Sequence, residues 1–468
     1  MEKNQIHNRI GIGFTCVFIL NIIFVCIGLF GGNQWFTIGG IILSVFQIWL
    51  NDYFNRHSST IPHYPYAVKI KWLLSCVHPR VAEIILPVRP VTGYLKKEEI
   101  ALINKRAMNI DTGIISNNLS YPFDAGYECV VINQNTINIP SPHLFVEIGV
   151  NNCRQPYKLN LLNIGAVNCR GLNNNSVLSL SGGAKITGCS INTGILGINP
   201  YLLRGGGDLV WRISRFDSFC RAKDGSFNEG HFQITATRPY VKMIEIQISL
   251  SDIPRTGNGL TFYNMIYFLG KLKALSGGKP IGISLRNPNS AVLNCICKTM
   301  FDTGICLDFI TIENAPALKA TRPERLSRTT ISNFSNSIAV ARRYIDQYHL
   351  PSKVIACADI VTEYDILRSI ALGASACFSV KPMAAALNAR PLFSKQTAAL
   401  QQLAVANFCR NTMAATVKLM EACNYYTLDD VKAGDFYQKT SLMELKTLQQ
   451  VYSGESHPDK IRLLTSLN

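Results

Sequence analysis

Short apolar runs that alternate with longer helical patterns are the feature that most limits how this chain can fold. The candidate strands are 144–150, 161–165, 241–248, 280–285, 308–312, 353–356 and 375–380, and the helical stretches among them are 262–275, 291–303, 333–349 and 361–372. Strand followed by helix, repeated this often, is typical of an α/β protein with a parallel sheet covered by helices. At 468 residues the chain is predicted to form a (β/α)8 TIM-type barrel, with a doubly wound sheet as the alternative. No GxGxxG follows a strand, so a dinucleotide-binding fold lacks its main signal.

An uncharged stretch precedes this alternation and predicts a membrane anchor. No side chain from residue 10 to residue 51 is charged, and residues 10–30 are long enough to span a bilayer, which needs roughly 20 apolar residues. A turn at 31–34 leads into a shorter apolar stretch at 35–50, so residues 1–56 are predicted to form a two-helix transmembrane hairpin. Lys3, Arg9 and Arg56 flank it, and the positive-inside rule places both ends in the cytoplasm, as in a bacterial inner-membrane protein. A cleavable signal peptide is disfavoured because the apolar region is too long and lacks a cleavage site.

Changes of pattern give the other boundaries and the class of partner. Residues 57–143 are interpreted as a membrane-proximal helical and linker region, 144–390 as the barrel, and 391–468 as C-terminal helices. The net charge of +16 suggests an acidic partner, but no basic run exceeds two residues and no nucleic-acid motif occurs. We therefore expect the membrane, and not nucleic acid, as a partner. The 15 cysteines lack regular spacing, which favours reduced and mostly buried thiols in a cytoplasmic domain.

Glycines concentrate between residues 192 and 227. The run Gly205-Gly206-Gly207-Asp208 stands directly before Leu209-Val210-Trp211, and closely spaced glycines mark backbone that needs a positive φ or a close neighbour. A surface loop of turns is the simpler interpretation of the composition. Asp208 is interpreted as the cap of a helix that begins at Leu209, and Arg212 as part of a solvated face. No Ser-His-Asp, zinc or P-loop pattern stands out, so no catalytic or metal-binding residue is assigned.

The same stretch resembles the signature segment of FMN-binding glutamate synthase-domain proteins, in which an NTGEGG-PYH-GGGDL-W run precedes an aromatic-Gly-Cys-Arg turn. The positions that fit are Asn192, Thr193, Gly194, Pro200, Tyr201, Gly205 to Asp208, Trp211, Cys220 and Arg221. Further segments resemble the family in the same order: IGVNNCRQPY at 148–157, MIEI at 243–246, SGGKPIG at 276–282, DFIT at 308–311 and the helix at 406–412. The resemblance covers roughly residues 145–423 and implies a ferredoxin- or NADPH-dependent glutamate synthase-like barrel that binds FMN.

Most of the cofactor positions depart from the family pattern. Arg170 replaces a glycine, Ile195 replaces the glutamate of NTGEGG, and Ser284 replaces a strand lysine. Asp359 and Glu363 put negative charge where the resemblance places the flavin phosphate. The resemblance leaves a remnant of an FMN site, which comprises Asn168, Asn192, Thr193, Gly194, Gly205 and Gly206. The span 387–395 has no cysteine where the family has its cluster motif, so a 3Fe–4S cluster is expected to be absent.

Three hypotheses about function remain open. The first is a membrane-anchored glutamate synthase-domain protein that has lost FMN and iron–sulfur chemistry and acts as a pseudoenzyme or binding partner, for example of an intact paralogue. The second is an active FMN-dependent oxidoreductase with glutamate synthase-like activity on 2-oxoglutarate, in which Arg170 or Lys381 supplies the missing positive charge. The third, less favoured, is an anion-binding module that uses the arginines at the barrel mouth.

Overall fold

The computed structural model describes most of the chain from residue 95 onward. The described residues are 21, 31, 35, 37–40, 43–44, 95–120, 126–133, 144–150, 152–166, 172, 174–195, 197–214, 220, 222, 226–248, 259–314, 328–389, 397–441 and 444–452. The predicted transmembrane hairpin, 1–56, lies almost entirely outside these residues, as does Asn168. Within the described part of the chain, no helix combines the length and apolar character needed to cross a membrane.

The described secondary structure comprises thirteen strands and eleven α-helices from residue 95 onward. The strands are β1 (Glu128–Val130), β2 (Phe145–Ile148), β3 (Tyr157–Asn160), β4 (Leu162–Ile164), β5 (Ser190–Asn192), β6 (Asp208–Ile213), β7 (Val241–Ile248), β8 (Ile281–Arg286), β9 (Phe309–Glu313), β10 (Lys353–Ala358), β11 (Ala376–Ser379), β12 (Phe436–Ser441) and β13 (Glu444–Thr447). The helices are α1 (Lys97–Ala107), α2 (Asn174–Thr187), α3 (Pro200–Gly205), α4 (Glu229–Ala236), α5 (Gly259–Leu275), α6 (Ser290–Thr303), α7 (Arg328–Gln347), α8 (Glu363–Ala371), α9 (Lys381–Ala386), α10 (Ala398–Cys423) and α11 (Leu448–Tyr452).

Strands β4 to β11 form a closed parallel barrel in which each strand pairs with the next along the chain, and β11 pairs with β4. The predicted (β/α)8 fold is therefore confirmed, and closure excludes the doubly wound alternative. Gly282 of β8 shows how tightly the strands pack, because a Cβ atom placed there would lie 2.3 Å from the carbonyl oxygen of Phe309. The chain divides into two compact units, 1–90 with 170–174 and 91–169 with 175–468, and the barrel strands lie in the second.

The antiparallel pair β2–β3 contributes to the hydrophobic core of the barrel. Its buried residues Ile148 and Leu159 belong to one apolar cluster with Val210, Met243 and Phe309 of the barrel strands. Burying an apolar side chain of this size contributes about 1.5–3 kcal/mol. The strand predicted at 144–150 therefore exists as β2, but it lies outside the barrel.

Two barrel strands, β5 and β6, were not predicted from the sequence. β5 has only three residues, two of them polar, and its Ser190 is tied to Asn163 of β4 through a backbone N–H to Oδ1 bond of 3.0 Å. Asp208 does not cap a helix, because it begins strand β6. Its carboxylate accepts a 3.0 Å hydrogen bond from the Tyr157 hydroxyl of β3. The glycine run before Asp208 is the turn that leads into the strand.

The C-terminal region is not all helical, which corrects the prediction for 391–468. Helix α10 covers the predicted span 397–423, but β12 and β13 form a hairpin that pairs with β1 in a three-stranded sheet. Two buried ion pairs hold the segments before the barrel against helix α8: Arg106 Nη2 lies 2.6 Å from Glu363 Oε2, and Arg368 makes two hydrogen bonds to Glu128. We call these two pairs the outer clamp.

Candidate functional site at the carboxyl end of the barrel

Interior side chains change character along the barrel strands. Alternate residues of a strand face the interior, so Val210 and Arg212 of β6 share one face, as do Met243 and Glu245 of β7. The first member of each pair belongs to the apolar cluster, while the second carries a charge and lies nearer the carboxyl end of its strand. The carboxyl ends of the strands hold the active sites of TIM-barrel enzymes. This end is therefore the candidate site.

Four charged residues form what we call the inner cluster: Arg212, Glu245, Arg286 and Glu313. Arg212 Nε donates to Glu245 Oε2 at 2.6 Å, and its Nη2 donates to Glu313. Glu313 accepts a second hydrogen bond, of 3.3 Å, from Arg286 Nε. Two arginines thus face two carboxylates, so the cluster has no net charge.

Burial fixes the ionisation of Arg212. Its side chain is only 2% exposed, and Glu245 is equally enclosed. Burial alone would lower the pKa of Arg212, but the charges of Glu245 and Glu313 outweigh that effect and raise the pKa above its ordinary value. Asn192 of β5 adds a 2.7 Å hydrogen bond from Nδ2 to Glu245 Oε2. The guanidinium is thus held as a permanent cation with little freedom to reorient toward a ligand.

Beside this cluster, two hydroxyl groups are buried without a hydrogen-bond partner. Ser284 and Thr311 stand opposite each other on β8 and β9, and each is 1% exposed. Neither oxygen has a partner in the described structure. The buried thiol of Cys357 lies near the same charges, and its pKa is raised well above the ordinary value, first by burial and then by Glu313. Unsatisfied polar atoms are costly, so a barrel shaped only for stability would rarely retain them.

The predicted remnant of an FMN site is divided between the two ends of the barrel. Asn192, Thr193 and Gly194 are buried at the carboxyl end of β5, where the Gly194 N–H donates to Asn192 Oδ1 at 3.0 Å. Gly205 and Gly206 lie at the opposite end, directly before β6. A Cβ atom on Gly205 would lie 2.4 Å from Ser181 Cβ, and Gly206 has a φ of 76° at the end of α3. These two glycines serve helix packing and a turn, so they are not brought together with Asn192.

The loops after β10 and β11 contain an ion pair. Asp359 Oδ2 lies 2.5 Å from Lys381 Nζ, and Asp359 Oδ1 accepts a hydrogen bond of 3.2 Å from the Lys381 backbone N–H. In many TIM-barrel enzymes the loops after the seventh and eighth strands, together with a short extra helix, bind phosphate. Here the backbone N–H and the side-chain ammonium of Lys381 both bond a carboxylate of the chain itself.

Glu363 does not face this place, which corrects the expectation from the sequence. It begins helix α8, is fully buried, and accepts hydrogen bonds from Arg106 Nη2 and from the Ile115 backbone N–H, the latter at 2.5 Å. Its charge is compensated by the outer clamp, so only Asp359 supplies the negative charge anticipated near a phosphate. Arg170, the other departure noted at this end, lies outside the described residues.

Sequence reasoning missed the inner cluster. Arg212 was interpreted as part of a solvated face, yet it is one of the most deeply buried side chains described. The available signal was alternation: Val210 and Arg212 have the period of two expected of a strand, and so do Met243 and Glu245. Among the described residues no group of three or more His, Cys, Asp or Glu side chains is placed to hold a metal ion.

Comparison with known proteins gives one weak sequence relationship. No protein-family profile matches the chain. The glutamate synthase large subunit-like protein YerD of Bacillus subtilis (strain 168) is 25% identical over an alignment of 261 residues, with a coverage of 48% of this chain and 50% of that protein. The chain therefore spans about half the length of this curated relative.

Solved structures with some similarity to this chain have low sequence identity to it. A mandelate oxidase structure has a TM-score of 0.43 at 12% identity and covers 76% of this chain and 92% of its own. A flavocytochrome b2 variant has a TM-score of 0.46 at 9% identity, with 80% and 86% covered.

Proposed function

We infer that this chain is a glutamate synthase-like barrel that has lost flavin and iron–sulfur chemistry and acts as a membrane-anchored binding partner, for example of an intact paralogue. The weak similarity to a glutamate synthase large subunit-like protein supports the ancestry. Residues at the carboxyl end of the barrel support the loss of flavin chemistry.

The ion pair between Asp359 and Lys381 carries the proposal. A flavin phosphate at this end would need free N–H donors or cations, and both nitrogen atoms of Lys381 already bond Asp359. A phosphate dianion would have to displace this carboxylate or lie against it, and like charges at such distances repel strongly. The residues present therefore do not fit FMN in its phosphate position.

The inner cluster supports the same conclusion for the flavin ring. By the family resemblance, Ser284 stands where a lysine would be expected, and its hydroxyl is buried beside Thr311 with no exposed surface. Arg212 cannot replace that lysine without leaving Glu245 and Glu313, both of which are buried. Breaking a buried ion pair costs about 3–5 kcal/mol, which would have to come from flavin binding.

Flavin content tests the proposal directly. Full-length protein purified in detergent is expected to lack flavin absorption, to contain no iron, and to leave the fluorescence of added FMN unchanged. One flavin per chain, purified with the protein or taken up on titration, would overturn the proposal.

Charge removal at Asp359 tests the reason for the loss. If this carboxylate is what excludes the phosphate, Asp359→Asn raises FMN affinity by about tenfold or more, which corresponds to roughly 1.4 kcal/mol. The matched control is Asp346→Asn, because Asp346 also pairs with a basic residue, Arg342, but does so on the exposed surface of α7. The control is expected to leave FMN affinity unchanged.

An active FMN-dependent oxidoreductase acting on 2-oxoglutarate is the second candidate, and Arg286 favours it. This residue ends strand β8, its side chain is 41% exposed, and its described hydrogen bond is the 3.3 Å contact from Nε to Glu313. A half-exposed guanidinium at the barrel mouth can bind a carboxylate. This candidate predicts reoxidation of reduced FMN by 2-oxoglutarate and ammonia, with loss of the activity in Arg286→Gln.

A further inference from the structure

One face of the barrel combines exposed apolar side chains with basic side chains that have no ion-pair partner among the described residues. It is formed by helices α2, α3 and α10, and we call it the α2–α3–α10 face. Its exposed residues are Lys185 and Ile186 of α2, Leu203 and Arg204 of α3, and Leu400, Leu403 and Arg410 of α10. Leu400 and Leu403 are 51% and 46% exposed, far more than the apolar residues that face the barrel.

Contacts between the helices show that this face is continuous. Arg410 Nη2 of α10 donates to the carbonyl oxygen of Ile186 in α2 at 3.2 Å. A Cβ atom on Gly206, directly after α3, would lie 3.2 Å from Lys185 Cδ. Leu403 and Arg410 are seven residues apart on α10, two helical turns, so they lie on the same side of that helix.

The charge of this face is almost entirely positive. Helices α2 and α3 contain no acidic residue, and the single acid of α10 is Glu421, near its far end. Two nearby carboxylates are already paired: Asp208 lies 3.8 Å from Lys242 Nζ, and Asp111 lies 3.6 Å from Lys418 Nζ. Lys185, Arg204 and Arg410 therefore present their charge to solvent together with the leucines between them.

Helix stabilisation explains only part of this arrangement. Lys185 and Arg204 lie in the last turns of their helices, where cations interact favourably with the helix dipole. Arg410 lies in the middle of α10, and the exposed leucines gain nothing from a dipole. The helix dipole therefore does not explain why apolar and basic side chains occur together on this face.

We propose that the α2–α3–α10 face docks on a bilayer of anionic phospholipid. Leucine and isoleucine side chains would enter the headgroup boundary, and lysine and arginine would bind lipid phosphates, as on interfacial amphipathic helices. We choose this partner because the face is basic and apolar, while an anionic bilayer offers acidic headgroups above an apolar interior. The sequence also predicts a transmembrane hairpin at 1–56, which would hold the barrel near such a surface. Docking does not depend on whether the barrel binds flavin.

Chemical shielding of Lys185 tests the proposal on the full chain. The protein is reconstituted into nanodiscs of phosphatidylcholine, with or without phosphatidylglycerol, and treated with a water-soluble acetylating ester. Mass spectrometry then gives the acetylation rate at each lysine. Lys185 is expected to react about fivefold more slowly in the anionic discs, the factor typical of one basic residue near such a surface. Lys298, exposed on α6, serves as the internal control and is expected to keep its rate.

Variants on the same face separate docking from general crowding by the disc. Arg204→Gln with Arg410→Gln, or Leu400→Ser with Leu403→Ser, is expected to return Lys185 to its rate in phosphatidylcholine. The matched control, Lys271→Gln, removes a charge from the outer surface of α5 and is expected to leave the shielding intact. Equal Lys185 rates in the two kinds of disc would overturn the proposal. So would shielding that survives both double variants.

Discussion

Two sets of buried ion pairs, the outer clamp and the inner cluster, differ in the segments that they join and in where the unsatisfied hydroxyl groups beside them lie. In the outer clamp, Glu363 bonds Arg106 through one oxygen and the Ile115 N–H through the other. Arg106 also bonds Thr112 and Thr412. The inner cluster lies beside Ser284 and Thr311, whose buried hydroxyl groups on barrel strands have no described partner, whereas the hydroxyls without a described partner near the outer clamp, those of Tyr364 and Tyr452, belong to helices α8 and α11 outside the barrel strands.

The pairs also join different kinds of segment. Glu363 and Arg106 are 257 residues apart, and Arg368 and Glu128 are 240 apart, so the outer clamp fastens the segments before the barrel to helix α8. The inner cluster joins β6 with β7 and β8 with β9, which already pair through their backbones, and it also crosses the barrel interior from β6 to β9, which do not pair. Ion pairs that face the barrel interior at its carboxyl end, beside unsatisfied hydroxyls, are typical of a functional position. We interpret the inner cluster as a former ligand site that its own side chains have closed.

The alkylation rate of Cys357 is expected to show the largest effect. This rate measures whether reagents in solution can reach the inner cluster. In native protein near pH 8, iodoacetamide is expected to alkylate buried Cys357 at least about a thousandfold more slowly than exposed Cys295, since labelling requires opening of the barrel. Burial and then Glu313 raise the pKa of Cys357, so a rise in pH that would ionise an ordinary thiol leaves this one protonated and unreactive. Peptide mass spectrometry measures the alkylation rate of each cysteine. Similar rates for the two would show that the carboxyl end of the barrel is open, which favours the flavin-binding candidate.

Arg106→Met is expected to produce a large loss of stability. The substitution leaves Glu363 buried with its charge uncompensated, which costs about 3–5 kcal/mol. The free energy of unfolding in urea measures this cost. Arg342→Met is the control because Arg342 pairs with Asp346 on an exposed helix face, where an ion pair contributes at most about 1 kcal/mol. Equal losses of unfolding free energy in the two variants would mean that the outer clamp does not act as a buried ion pair.

Arg212→Met is expected to cost a similar amount, about 3–5 kcal/mol, because it removes the cation that pairs with buried Glu245. Glu245 keeps only the neutral donor Asn192, as Glu363 keeps only the Ile115 N–H in Arg106→Met, while Glu313 keeps its bond from Arg286. The same urea titration compares this variant with Arg106→Met. A loss of about 1 kcal/mol or less for Arg212→Met, as in the exposed control, would contradict the buried ion pairs of the inner cluster.

The sequence predicted the barrel because apolar runs such as 241–248 have a local signal that survives in the fold, and β7 has the predicted bounds. The sequence did not predict β5. Two of its three residues, Ser190 and Asn192, have low strand propensity and are held in place by hydrogen bonds with Asn163 and Glu245. The outer clamp could not be predicted, since its partners are more than 200 residues apart. At the candidate site, the substitutions at Ser284 and Asp359 were visible from the resemblance. The burial of Arg212 between two carboxylates could not be predicted, because the three residues lie on three different strands and no single segment of the sequence indicates that they meet.

Matched substitutions of two buried threonines, one beside each set of ion pairs, are expected to give the smallest change in stability. Thr311 and Thr412 are both buried, but Thr311 Oγ1 lacks a partner while Thr412 Oγ1 accepts a 3.3 Å hydrogen bond from Arg106. Replacing an unsatisfied buried hydroxyl by a methyl group removes a desolvation cost, so Thr311→Val is expected to stabilise the fold by about 0.5–1 kcal/mol. Thr412→Val removes a satisfied bond to a charged group and is expected to destabilise it by about 1 kcal/mol. Urea titration of both variants gives the signs. If Thr311→Val instead destabilised the protein, its hydroxyl must have a partner in solution, and Thr311 would no longer mark the inner cluster as an unsatisfied position.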